Sequence, residues 1–219
     1  MIGQFADRRQ AGRALAAELK DLDLKAPVVL ALPRGGVPVG YEVAKTLQAP
    51  LDVLIVRKIG APFQQELGIG ALVDGNPPQL VMDSTLAQMV GAGTDYVEQQ
   101  EALQKTEIER RRQLYKSAPH LPLGGRTVIL VDDGIATGGT ARAALQAIRL
   151  GGAGSIILAI PVAPRDALTE LAPLCDRIVC LATPDPFYAV GTHYRDFSQT
   201  EDEEVVQLLA AAQSTKMAP

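Results

Sequence analysis

The 219-residue chain has no tryptophan, two histidines and two cysteines, and only 4% of it is aromatic. Cys175 and Cys180 match no common zinc spacing and read as two structural thiols in a reducing compartment. His120 and His193 are too few for a histidine-rich metal centre, and no nucleophile elbow supports a Ser-His-Asp triad. There is no apolar run long enough to span a bilayer, no internal repeat and no low-complexity tract. The opening residues 1–9 lack the apolar core of a secretory signal, so a cytoplasmic location is expected. With 21 Lys+Arg against 25 Asp+Glu, the formal net charge is −4. No global field therefore draws in nucleic acid, and any affinity for phosphate has to be local.

What the chain does have is concentrated around Thr127–Val131 and the residues after it. This run is β-branched or leucine throughout and reads as a strand buried on both faces, as in a parallel sheet. Asp132 and Asp133 stand at its carboxyl end, a Gly- and Thr-rich turn follows, and residues 140–148 continue as a helix. Ligands of open α/β sheets bind outside the carboxyl ends of strands, and a helix amino terminus reached through glycines favours phosphate. Thr137 and Thr140 offer hydroxyls, while Gly138 and Gly139 let backbone N–H groups close on an anion. The paired carboxylates cannot bind that same phosphate. They suit the vicinal hydroxyls of a sugar, a hydrated Mg²⁺, or both. Phosphate at one end and diol at the other describe a ribose 5-phosphate. The competing reading is a plain Asp-Gly turn between a core strand and a helix. G-x-G-x-x-G spacing and the Gly-Lys pair of a P-loop are both missing.

Residues 131–140 resemble the 5-phosphoribosyl 1-pyrophosphate (PRPP) motif of type I phosphoribosyltransferases, in the version carried by the adenine phosphoribosyltransferases. The resemblance implies that Asp132 and Asp133 hold the ribose hydroxyls and meet Mg²⁺, directly or through water. It implies that Ala136, Thr137, Gly138, Gly139 and Thr140 wrap the 5′-phosphate. The fold implied is α/β, a doubly wound, mostly parallel sheet with a small flap and hood. In the chemistry implied, the C1–pyrophosphate bond breaks through an oxocarbenium-like centre and a nitrogen acceptor captures C1.

The rest of the chain is read beside this motif. Residues 7–22 form an amphipathic helix, 28–32 a buried strand and 37–47 a helix. Between the last two, Arg34, Gly35 and Gly36 make a second anion-binding turn that resembles the family's pyrophosphate loop. The likeness implies a non-proline cis peptide at Arg34–Gly35 or Gly35–Gly36. A third strand, 51–56, ends in Arg57 and Lys58, either a further grip on polyphosphate or a solvated basic pair. Residues 59–67 are polar and rich in breakers, in the slot of the family's mobile catalytic loop. With Arg57 and Lys58, Glu66 is the candidate catalytic group there, against its reading as a surface glutamate.

Residues 68–73 and 80–82 read as two strands of a flap, and 94–116 as a long helix whose late arginines, 110–112, form a solvated face. One of them reaching across the site is the alternative. Residues 119–125 are a linker, and strands and helices alternate after the central motif up to a final helix at 201–212. Residues 185–197 hold two Phe and two Tyr, read either as a core or subunit contact or as a hood stacked on a flat base. The stretch resembles 6-oxopurine phosphoribosyltransferases, with Phe187 or Tyr188 as the stacking residue. Arg195 and Ala136 stand where those enzymes carry aspartates, so their proton chemistry and base are not implied.

The expected organisation is one domain over 1–219, with a flap and long helix at about 68–118 and a hood at about 183–200. The expected partners are PRPP and a small-molecule acceptor, with neither nucleic acid nor membrane, and a homodimer is an admissible assembly. Two other readings stand beside the enzyme: a PRPP- or nucleotide-sensing regulator, and a non-catalytic domain of a larger nucleotide-metabolism assembly.

Overall fold

A computed structural model describes residues 4–115 and 120–215. Lys116 and Pro119, the expected end of the long helix and start of the linker, lie outside the described residues, as do residues 1–3 of the opening segment. Helix α1 (Arg8–Leu19) begins where the Asp7 carboxylate accepts the Gln10 N–H at 2.7 Å, satisfying one of the helix's open donors. There follow β1 (Val28–Ala31), α2 (Gly36–Leu47) and β2 (Leu51–Val53). The chain then leaves this layer for β3 (Val56–Ala61), β4 (Gln64–Val73) and β5 (Gln79–Met82), then α3 (Ser84–Met89) and α4 (Thr94–Leu114). It returns through β6 (Thr127–Val131), α5 (Gly139–Leu150), β7 (Ser155–Val162), α6 (Arg165–Leu171), β8 (Arg177–Ala182) and α7 (Asp202–Thr215).

The main sheet is parallel throughout, in the order β2-β1-β6-β7-β8. Side chains alternate across a strand, so each strand feeds two cores. Val29, Ala31, Ile129, Val131, Ile157 and Ala159 meet α1, α2 and α7 on one face. Val28, Leu30, Val128, Leu130, Ile156 and Leu158 meet α5 and α6 on the other. All five residues of β6 are buried, as expected of a strand covered on both sides. Each buried Val, Leu or Ile side chain contributes about 1.5–3 kcal/mol by leaving water. This is the doubly wound α/β sheet expected from the alternation of elements, and no helix among the described residues is long and apolar enough to cross a membrane.

Three expectations are corrected. The third parallel strand stops at Val53, and Arg57 and Lys58 lie inside β3, where Arg57 pairs with Leu72 and Lys58 with Ala71. The apolar run 53–56 is continuous in sequence, so only the hydrogen bonds show where the sheet is abandoned: Leu54 N–H donates to Ala31 while Ile55 already accepts from Asp74. Residues 59–67 are not an irregular loop. They form the turn end of the β3–β4 hairpin, held where Tyr96 donates its hydroxyl to the Gly60 carbonyl at 2.8 Å. The non-proline cis peptide lies one bond earlier than expected, at Pro33–Arg34.

The flap strands are present as β4 and β5, which pair antiparallel. Helix α3 was not anticipated. The late arginines of α4 also differ from expectation. Arg110 and Arg111 do ion-pair with Glu107 on the helix surface, but the Arg112 side chain is only 11% exposed. It meets Asp74 at 2.6 Å and Asp52 at 3.7 Å, and His120 lies 3.3 Å from the same Asp74.

Candidate active site

The two glycine-bearing turns come together at the carboxyl end of the sheet. The turn after β1 is closed by Gly36 N–H donating to Leu32 at 3.0 Å, and Leu32 N–H donates in turn to the Val131 carbonyl of β6. A Cβ on Gly35 would collide with the Asp133 carboxylate, and one on Gly36 would come within 2.9 Å of the Val131 carbonyl. Both glycines are needed because the first turn lies directly against the acidic pair. Sequence reasoning placed them near a phosphate; the structure adds that they are pressed on Asp132 and Asp133.

The second turn is pinned at its middle. Ile135 is buried, and its N–H donates to Val162 at 2.9 Å, while Ala136, Thr137 and Gly139 remain exposed around it. Gly138 takes φ +78°, a left-handed conformation suited to glycine, and caps α5 with no side-chain hydrogen bond to its first turn. The expected phosphate loop, Ala136 to Thr140, is therefore an accessible helix amino terminus with a partial positive charge.

Burial dominates the electrostatics between the turns. Desolvation, then the neighbouring Asp133 charge, pushes the Asp132 carboxyl well above its ordinary range. Asp132 Oδ1 accepts the Asp133 N–H at 2.8 Å. The Asp133 carboxyl is raised by desolvation and opposed by Arg8, whose Nε donates to Oδ2 at 2.7 Å. Burial and the like charge of its neighbour thus oppose ionisation of Asp132, while Arg8 offsets the effect of burial at Asp133.

Arg34 stands beside Gly35 but leans outward, its Nη1 lying 3.8 Å from Glu201 and 3.9 Å from Asp202. Arg57 donates to Gln104 at 3.0 Å, and Lys58 and Glu66 are exposed on the hairpin. Among the described residues, no hydrogen bond or ion pair joins these last three to the acidic pair.

The hood segment crosses the site as a strap. Val190 packs where a Cβ on Gly134 would sit, and Tyr194 donates its hydroxyl to the Asp133 carbonyl at 2.5 Å. Phe187 is half-buried with its ring stacked on His193, centroids 5.7 Å apart, whereas Tyr188 is 81% exposed. A cleft of about 690 Å³ runs along the strap, lined by Thr183, Tyr188, His193 and Tyr194. His193 Nε2 is buried without a hydrogen-bond partner. Sequence reasoning missed Arg8 and Tyr194. The one signal for Tyr194 was its place in the aromatic segment, and nothing local marked Arg8, which reaches Asp133 across 125 residues of chain.

A Mycobacterium tuberculosis protein provisionally named a phosphoribosyl transferase is 49% identical over 212 residues, covering 95% of this chain and 47% of the relative. The chain thus spans about half the length of the curated relatives it matches. A crystal structure from Thermus thermophilus superposes with a TM-score of 0.82 at 40% identity, covering 95% of this chain and 98% of that one. An Aquifex aeolicus structure shares the fold, with a TM-score of 0.51 at 14% identity over 84% of this chain and 78% of that one. The phosphoribosyl transferase domain model matches residues 2–195, and the chain belongs to that family.

Proposed function

We propose that the protein transfers the 5-phosphoribosyl group of PRPP to a nitrogen acceptor, releasing pyrophosphate. The observation that carries this reading is the contact of the Gly35–Gly36 turn with Asp132 and Asp133, one α5 amino terminus away from the exposed turn 136–140. The 5′-phosphate lies on the amides and hydroxyls of Ala136, Thr137, Gly138, Gly139 and Thr140. The ribose hydroxyls donate to Asp132 and Asp133, and the pyrophosphate meets the amides of Gly35 and Gly36. Arg34 rests on part-exposed acids at distances worth about 0–1 kcal/mol, a contact that a diphosphate outcompetes.

Mg²⁺ fits this donor set as an ion arriving with the substrate. Among the described residues, no group of three or more His, Cys, Asp or Glu could hold a metal. Two carboxylates facing a diphosphate nevertheless suit an octahedral ion that keeps several waters. When bound, it neutralises charge on the leaving pyrophosphate. The protein's own part is to orient the ribose through its two hydroxyls and to offer fixed N–H dipoles to the leaving group.

The acceptor occupies the strap cleft, with Tyr188 as the exposed aromatic face. Arg57, Lys58 and Glu66 act from the β3–β4 hairpin, which closes over the bound substrate. The flap, the long helix and the hood belong with the sheet in a single domain.

The test is calorimetric titration with PRPP, with and without Mg²⁺, followed by pyrophosphate release against a panel of nucleobases. Micromolar binding with release by one acceptor is expected. Binding without release by any acceptor favours the sensing regulator, and no binding overturns the site.

A further inference from the structure

Among the described residues, His193 Nε2 is the one buried side-chain nitrogen or oxygen without a hydrogen-bond partner. The residue closes the short 3₁₀ turn Val190–His193 of the strap and is 8% exposed. Its position is pinned on both sides. The His193 carbonyl accepts the Phe5 N–H at 2.9 Å, and the next residue, Tyr194, donates its hydroxyl to the Asp133 carbonyl. The Phe187 ring lies against the imidazole at an interplanar angle of 22°, a contact that a swing out to water would give up. His193 also forms part of the wall of the strap cleft, together with the apolar Leu181, Ala182 and Pro184. Other polar side chains along that cleft are provided for: Thr192 Oγ1 donates to the Ala189 carbonyl at 2.7 Å, and Asp185 is open to solvent.

We propose that His193 selects the acceptor, its Nε2 taking a hydrogen bond from the N–H or amino edge of a nitrogen heterocycle seated in the strap cleft. The inference rests on the proposed transfer from PRPP and gives its acceptor a chemical class. Buried polar groups in folded proteins are paired almost throughout, so an orphan marks the place of a partner the protein itself does not supply. Desolvation holds the imidazole below its usual range, so the ring is neutral at pH 7 and carries a single N–H. That proton sits on Nδ1, since on Nε2 it would be a buried donor with no acceptor. Nε2 therefore presents a lone pair. A ring that offers only a carbonyl at this edge is rejected, because two lone pairs would face each other across a desolvated contact. The apolar walls suit the faces of a flat ring, and Tyr194 sets the cleft one residue away from the end of the central strand. An acceptor held there lies beside the proposed ribose site, where its nitrogen has to reach C1.

Imidazole ¹⁵N NMR of the wild-type protein tests this, first without ligand and then with adenine, guanine, cytosine, hypoxanthine and uracil in turn. Each base is added alone and together with Mg²⁺, ribose 5-phosphate and pyrophosphate, which fill the proposed site without a bond to transfer. Without ligand, the His193 proton is expected on Nδ1, and a proton on Nε2 overturns the inference. At least one base is expected to move the Nε2 resonance saturably toward its hydrogen-bonded position. His193→Phe keeps a ring against Phe187 and deletes the lone pair. By calorimetry it is expected to bind that base about tenfold more weakly, the loss of one buried hydrogen bond. Its melting temperature without ligand is expected to hold or rise, because the wild-type nitrogen pairs with nothing in the protein. A histidine with a purely structural role predicts the reverse: a lower melting temperature and an unmoved base affinity. If His193→Phe does not fold, the wild-type titration decides by itself. An Nε2 resonance unmoved by every base in both mixtures overturns the inference, and leaves the PRPP site intact if calorimetry shows PRPP binding. Absence of PRPP binding by wild type overturns the transfer reading, and with it the role of His193 in choosing an acceptor.

Discussion

The Tyr194 hydroxyl donates to the Asp133 carbonyl at 2.5 Å, joining the carboxyl-terminal strap to the end of the central strand across 61 residues of chain. The bond is part-buried, and burial of the ring, then the Asp133 charge, pushes the phenol far above its ordinary range. Tyr194 thus stays a neutral donor at any physiological pH. Its ring also packs between Phe5 and Phe197, so the amino-terminal segment, the strap and the acidic pair form one assembly.

Tyr194→Phe keeps the ring packing and leaves the Asp133 carbonyl without its donor, at a cost of about 1–3 kcal/mol. Thermal melting should show a loss of about 2–12 °C. PRPP affinity should fall with it, because the strap no longer anchors the acidic pair. An unchanged melting temperature would show that the bond contributes nothing net.

Asp132→Asn combined with Asp133→Asn should leave the fold intact and weaken PRPP binding by about 10- to 100-fold. Hydrogen bonds to a charged acceptor contribute about 1.5–3 kcal/mol. Calorimetric titration of a folded double variant with undiminished affinity would sink the diol assignment.

The buried cluster around Arg112 predicts both a stability loss and a pH dependence. Arg112→Met strands Asp74 and Asp52 without their cation and should cost about 3–5 kcal/mol in urea denaturation at pH 7. Asp52 is raised from 3.8 to about 6, chiefly by desolvation. A carboxyl whose folded pKa is raised binds extra protons in the folded state, so its contribution to stability falls as pH rises from about 4 to about 6. Asp52→Asn removes that loss. Relative to wild type, the variant should gain on the order of 2 kcal/mol between pH 4 and pH 7. A constant difference across that range would contradict the desolvated state of Asp52.

At the tip of the β3–β4 hairpin, Phe63 is fully exposed and has φ +65°, a left-handed conformation that glycine adopts more easily. Phe63→Gly should hold or raise stability by up to about 1 kcal/mol. Hydrogen exchange over residues 59–67 should slow when PRPP and Mg²⁺ bind, if the hairpin closes over the site. Equal exchange with and without ligand would exclude a lid.

The two aromatic candidates of the hood should separate under mutation. Phe187→Ala removes a ring packed on His193 and should lower the melting temperature. Tyr188→Ala, at an exposed position, should leave stability unchanged and raise the acceptor KM, since a base stacked on an aromatic ring gains about 1–3 kcal/mol. Unaltered acceptor kinetics in Tyr188→Ala would remove the stacking role.

Contiguous residues carried the legible part of this protein. The strand Thr127–Val131, the acidic pair and the turn 136–140 lie in one stretch, and so do Arg34, Gly35 and Gly36. In a βα turn the strand end, the glycines and the helix amino terminus build the anion site from their own backbone. An unbroken apolar run likewise reveals a strand covered on both faces, because side chains point alternately to the two faces and both must then be apolar. The family and the fold class therefore followed from the sequence by itself.

What only the tertiary structure decided is which distant groups meet. The apolar run through Ile55 does not reveal that the sheet ends at Val53, because hydrogen-bond partners rather than side chains end a strand. Arg112 has the same local context as Arg110 and Arg111, yet one rotation of α4 buries it on Asp74 and leaves its neighbours in solvent. Arg8 reads as one more charge on an amphipathic helix until the contact of Gly12 with Val39 sets the path of α1 and carries it to Asp133. An ion pair across 125 residues depends on the packing of whole elements, and no local pattern of residue types encodes that.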